Sequence, residues 1–259
     1  MKRVSSILPA IVMSLALMWG CSVKEERGAC PCRLFLDMTQ VDMSVMSPLS
    51  LYVASGDALV HEAVFSQGTP DMYEAFVTRS ELDIVGWSGG DGYVSENGLA
   101  IPLGYDCPPV YIHSSNVLAE GEYVTDTVRM RKNHCVLNVM FVKTEELQSM
   151  TVRGSVCGYD YRGYPKPGDF MVYCPVSPSG VSSTQVCLPR QVGDPLYLDV
   201  VDAGGKTRTF PLREYIAAAG YDWSEPDLKD LNITLNYTLA TVSLVVLGWD
   251  EEFVFDVVI

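Results

Sequence analysis

Three cysteines stand within twelve residues in the stretch CSVKEERGACPC, Cys21 to Cys32. Thiols at that density can ligate zinc, form a redox pair, enter a disulfide frame or carry a covalent anchor. Zinc needs four ligands, usually arranged in CxxC-type pairs. No CxxC occurs, and His61, His113 and His134 stand apart, so the spacing favours disulfides over a metal. With Cys21 set aside as an anchor, seven candidates remain: Cys30, Cys32, Cys107, Cys135, Cys157, Cys174 and Cys187. Seven is odd, so one is free or pairs with another chain. Cys30 and Cys32 flank Pro31, a spacing poorly suited to bonding each other. Each is expected to reach elsewhere, for example Cys107 or Cys135, and the connectivity stays open.

A second stretch with chemical potential is Gly86-Trp87-Ser88-Gly89-Gly90, which fits the G-x-S-x-G nucleophile pattern. That motif needs a strand, a sharp turn that exposes the serine, and a helix whose amides help bind an oxyanion. Here GDGYVSENG follows, which is turn and loop, so a Gly-rich hairpin turn is the expected structure. No HExxH, phosphate loop or EF-hand spacing is present. The sequence therefore assigns no catalytic residue, no metal and no cofactor, and the chain reads as a non-enzyme. Trp87, Trp223 and Trp249 could stack on sugars, but their apolar or turn surroundings point to packing.

The segment before the cysteine cluster explains Cys21. Lys2 and Arg3 precede an apolar run from Ile7 to Trp19, interrupted by Pro9 and Ser14 and ending at Gly20-Cys21. A basic head, a short apolar stretch and a small residue before the cut describe an export signal. A membrane span would need about 20 apolar residues. Met18-Trp19-Gly20-Cys21 resembles the lipobox of bacterial lipoproteins, in which the cysteine thiol is acylated and becomes the new N-terminus. Lys24-Glu25-Glu26 is similar to the short tag that sends such lipoproteins to the cell surface in Bacteroidetes-type bacteria. Residues 1–20 are thus read as the signal, cleaved after Gly20, and 21–32 as the lipidated segment. Each buried CH₂ of an acyl chain contributes about 0.8 kcal/mol, so two or three chains anchor a protein firmly.

Removing residues 1–20 takes two of the 18 basic residues and none of the 32 acidic ones, which leaves a net charge of −16. That charge repels nucleic-acid phosphates and disfavours electrostatic docking to anionic lipid.

The elements that would position these residues are strands. Leu34, Leu36 and Met38 alternate with Arg33, Phe35 and Asp37, and Leu49, Leu51 and Val53 repeat the pattern before a turn at Gly56-Asp57. Further strands are expected at 73–77, 82–87, 110–113, 127–131 and 136–142. In the second half they are expected around 196–200, 231–239, 243–249 and 253–259. One helix is predicted over Leu212–Ala219, with Pro211 in its first turn and Gly220 as its stop. Short strands and turns throughout describe an all-β chain, a pair of β-sandwiches. The polar KTEELQS stretch suggests a boundary giving domains at 33–146 and 147–259.

Longer stretches carry a resemblance. IPLGYDCPPVYIHSSNVLAEGEYVTDTVRMRKNHCVLNVMF (101–141), CLPRQ (187–191), FPLREYIAAAGYDWSEPDLKDLNITLNYTL (210–239) and GWDEEFVFDVVI (248–259) resemble the fimbrillin-associated anchor subunits of Bacteroidetes-type fimbriae. CPCRLFLDM resembles that family's mature start. The resemblance implies two tandem transthyretin-like β-sandwich domains and a non-enzymatic lipoprotein in the outer membrane, facing the cell exterior. It implies a fimbrial stalk subunit as partner, joined by β-strand complementation, in which a strand of one subunit fills a groove in another. The apolar row Phe253, Phe255, Val257 and Ile259 would be the partner-strand candidate, although it reads equally as the last strand of the second sandwich. The N-terminal strand, Arg33 to Met38, is expected to stay in place and block further addition. The alternative is a surface glycan-binding lipoprotein, which would need exposed aromatics on one face.

Overall fold

A computed structural model describes residues 30–256, apart from 47, 91–92, 96, 143–146, 177–180, 194–195, 237–240 and 247–251. The chain is all-β with one described helix, as the alternation requires. Its strands form four sheets.

The first sheet has three strands in the order β4 (Met72–Val77), β1 (Cys32–Asp37) and β9 (Tyr123–Thr127). The second has β10 (Arg131–Lys132), β8 (Val110–Leu118), β5 (Glu81–Gly89), β2 (Leu49–Ser55) and β3 (Ala58–Phe65). Their apolar faces share one core that contains Leu34, Leu36, Leu49, Leu51, Leu82 and Ile84.

The third sheet runs β14 (Val181–Pro189), β11 (His134–Val142), β17 (Leu231–Asn236), β18 (Thr241–Val246) and β19 (Glu252–Asp256). The fourth runs β16 (Thr207–Phe210), β15 (Tyr197–Asp202), β12 (Leu147–Tyr159), β7 (Gly98–Ala100) and β6 (Val94–Ser95), with β13 (Pro165–Pro175) also on β12. A second core unites Leu137, Phe141, Val152, Phe170, Leu198 and Phe210 with Val85 and Trp87 from β5. Strand β11 lies before residue 146, yet both its neighbours, β14 and β17, belong to the second half.

The expected strand over 127–131 is not continuous: β9 ends at Thr127 and β10 begins at Arg131. The intervening amides find other partners. The Val128 N–H donates to the Asp37 carbonyl at 2.9 Å, and the Arg129 N–H to His113 Nδ1 at 3.2 Å. The β12–β13 hairpin escaped the sequence reading because its register shifts twice, around Gly154 and Val156, and Pro165, Pro167 and Gly168 break the alternation.

The helix, α1 (Leu212–Ala218), lies where it is predicted. It ends as a Schellman turn: Gly220 adopts φ +77°, its N–H bonds the Ala217 carbonyl at 2.9 Å, and Tyr221 N–H bonds that of Ile216 at 3.1 Å.

Candidate functional site

Strand β1 occupies the middle of its sheet. It pairs antiparallel with β4 from Cys32↔Val77 to Asp37↔Met72, and parallel with β9 from Arg33↔Tyr123 to Asp37↔Thr127. Strand alternation turns Cys32, Leu34 and Leu36 into the core, with Met38 just beyond, and all four are fully or almost fully buried. Arg33 faces outward, where its Nε meets Glu74 Oε1 at 2.7 Å and its guanidinium lies 5.0 Å from the Phe35 ring centre. That pair is about half exposed, so it orients Arg33 and stabilises the sheet little. Lifting β1 out would leave β4 and β9 with facing rows of unpaired backbone groups and an apolar groove the length of the strand.

At the other end of the chain, Phe253 and Phe255 lie in β19, opposite Leu244 and Val242 of β18. Among the described residues β19 closes the order of its sheet, and Val254 on it is 66% exposed. Val257 and Ile259 lie outside the described residues, as do Gly20 and Cys21. Among the described residues, no helix is long and apolar enough to cross a membrane.

All seven remaining cysteines are free thiols in this structure, so the expected disulfide frame is not formed in it. Cys32 packs in the first core, whereas Cys107 and Cys135 pack in the second, so the core arrangement does not favour a Cys32 bond to either. Cys30 is exposed. Burial pushes the Cys135 thiol up to about 12.

Ser88 is 3% exposed and lies inside β5, opposite Leu49 and Tyr111 on the neighbouring strands. It is not carried on an exposed elbow. The glycines after it have a structural reason: Gly89 adopts φ +80°, and a Cβ there would come within 2.1 Å of the Pro109 carbonyl. Sequence reasoning missed a more suggestive group: His113 Nε2 lies 3.1 Å from Ser115 Oγ and 3.3 Å from Asp126 Oδ2, and Ser115 also bonds Asp126. The geometry differs from a hydrolytic triad, because serine and carboxylate share one ring nitrogen while the other accepts the Arg129 N–H. Burial raises the Asp126 carboxyl, but bonds from His113, Ser115 and the Thr127 N–H outweigh it and leave the group below its ordinary range. The cluster ties β8 to β9.

Trp87 is 4% exposed and meets Tyr159 edge-on, and Trp223 packs on the second core, as their sequence surroundings suggest. Trp249 lies outside the described residues.

No family model and no curated protein sequence matches the chain. Solved structures do match its fold. The fimbrial anchor protein Mfa2 from Porphyromonas gingivalis aligns with a TM-score of 0.64 at 14% identity, over 85% of this chain and 98% of that one. A candidate polysaccharide-binding protein from Bacteroides thetaiotaomicron gives a TM-score of 0.62 at 14% identity, over 87% of this chain and 98% of its own. A candidate adhesin from the same species gives 0.57 at 14% identity, over 85% and 97%. At these identities the likeness establishes a shared fold.

Proposed function

We propose that this chain is the lipid-anchored base of a cell-surface fimbria. Its acylated Cys21 holds the outer membrane, and a strand edge holds the first stalk subunit. The observation that carries this reading is the place of β1, which fills the middle of its sheet with its alternate side chains buried. A subunit in a growing stalk must offer a neighbour an open groove, and here the chain's own strand occupies that place. Addition therefore stops at this end. The same strand carries the tether, since Cys21 precedes Cys32 by eleven residues, a reach of at most roughly 40 Å. Cutting after Arg33 would release the chain from its lipid, while Leu34 to Asp37 would remain part of β1. The shared fold with the Mfa2 anchor agrees with this role.

The partner surface in this reading is the free edge of β19. An incoming strand would satisfy its unpaired N–H and C=O groups, with Phe253, Phe255, Val257 and Ile259 forming one apolar row. The test is the intact mass of the chain extracted from outer membranes. A chain that starts at acylated Cys21 is the expected result; one that starts at Leu34 would refute the retained tether, and one that starts beyond Asp37 would refute the retained strand.

One observation favours a second reading, glycan binding. Phe76 and Tyr123 flank Arg33 in a single row on the outer face of the first sheet, 63% and 68% exposed. Exposed aromatics in a row can stack on sugar rings. Retention on immobilised polysaccharide that Tyr123→Ala abolishes would put that reading first.

A further inference from the structure

The segment 101–109 leaves the first half and is laid across three strands of the second. Ile101 N–H bonds the Cys157 carbonyl of β12 at 2.8 Å, Gly104 N–H the Met171 carbonyl of β13 at 2.7 Å, and Cys107 N–H the Cys187 carbonyl of β14 at 3.0 Å. The last contact falls on a sheet edge: β14 pairs with β11 on one side, through Cys187↔Val136, and meets Cys107 on the other.

We infer that Cys107 and Cys187 form a disulfide once the chain is exported. The bond from the Cys107 N–H to the Cys187 carbonyl sets the two residues side by side on adjacent segments, the closeness that a disulfide, with Cα atoms roughly 4.4–6.8 Å apart, requires. The Cys107 thiol, 3.3 Å from the Pro108 carbonyl, also interacts with the Cys187 thiol. Both line one surface depression of about 560 Å³ together with Asp106, Tyr173 and Cys174. Cys107 is buried and Cys187 half-buried, so an oxidant reaches Cys187 first.

The step balances with a disulfide-bearing oxidant, RSSR, of the class that exported thiol oxidases carry. The Cys187 thiolate attacks one sulfur of RSSR, its S–S bond breaks, and RS⁻ leaves with a proton to become RSH. The Cys107 thiolate then attacks Cys187 Sγ in the mixed disulfide and expels the second RS⁻, which takes the other proton. Two thiols lose two electrons in all, and RSSR is reduced to two RSH.

The bond pins segment 101–109 over β14 and closes that edge to strand addition, which leaves β19 as the opposite edge among the described strands. Covering an edge in this way is how sheets avoid unwanted pairing. Cys135 is excluded as the partner because it points into the core, on the face of the sheet opposite to Cys187. Cys174 is the competitor, since it shares the depression.

The test takes the exported Cys21→Ala chain, treats it with oxidised glutathione, unfolds it without reductant, alkylates it with iodoacetamide and maps the peptides by mass spectrometry. The expected result is one Cys107–Cys187 linked peptide, with the other five of the seven cysteines alkylated. Cys107→Ser and Cys187→Ser should each lose that peptide. Alkylation of all seven cysteines, or a peptide that links Cys107 to Cys174, would overturn the assignment.

Discussion

The phenol oxygen of Tyr159 accepts the backbone N–H of Arg190 at 2.7 Å while its hydroxyl donates to the Asn133 carbonyl. Tyr159 is fully buried at the end of β12, and Arg190 and Asn133 lie just beyond the ends of β14 and β10. Arg190 extends the junction: its Nε donates to Asn133 Oδ1 at 2.8 Å, and its Nη atoms donate to the carbonyls of Trp223, Glu225 and Pro226. One side chain thus ties Asn133, between β10 and β11, to the loop that leads into β17.

Tyr159→Phe keeps the ring but leaves the Arg190 N–H and the Asn133 carbonyl short of a partner. Each buried unsatisfied group costs about 1–3 kcal/mol, so with two of them the variant should lose about 2–6 kcal/mol. The midpoint of urea unfolding would read this. A variant as stable as wild type would mean that water reaches the site.

His134 is buried at the start of β11, with Nδ1 3.1 Å from both the N and the O of Val110. Burial lowers its pKa, and the Val110 bond and Asp230 oppose that while Lys132 adds to it. The folded state therefore favours neutral imidazole. Its stabilising contribution is present above the unfolded value of about 6.5 and is lost as the pH falls from there toward the folded value. The urea midpoint should drop between pH 7 and pH 5, and His134→Gln should flatten that drop. An unchanged slope in the variant would contradict the assignment.

Val254 is exposed on β19, the strand at the proposed partner edge. A lysine at such a position is a common guard against strand pairing. Val254→Lys should leave stability within about 0.5 kcal/mol, as exposed substitutions do, yet weaken capture of the stalk subunit. Pull-down of that subunit by the variant, beside its unfolding midpoint, separates the two effects. Undiminished capture would move the interface away from β19.

Much of the fold was legible because its signals are local. Leu34, Leu36 and Met38 alternate cleanly, and their strand lies where that alternation puts it. Pro211 and Gly220 bracket a helix that ends as they require. The neighbours of a strand are a different matter. Nothing in HCVLNVMFV says that β11 pairs with β14 and β17, since partner choice depends on residues 40 to 100 positions away. The same holds for the cysteines. Their number could be read from the sequence, but the approach of Cys107 to Cys187 is made by a loop that crosses three strands. The G-x-S-x-G match failed for a physical reason: its serine is buried inside β5, and Gly89 beside it serves the close passage of the Pro109 carbonyl.

Anchoring is the central claim, and the Cys21→Ala chain, expressed in place of the native one, tests it most directly. Fimbriae would be counted on cells and in the culture medium by electron microscopy. The account predicts that filaments leave the cells and accumulate in the medium at undiminished number. Filaments that stay on the cells as in the native strain would contradict it.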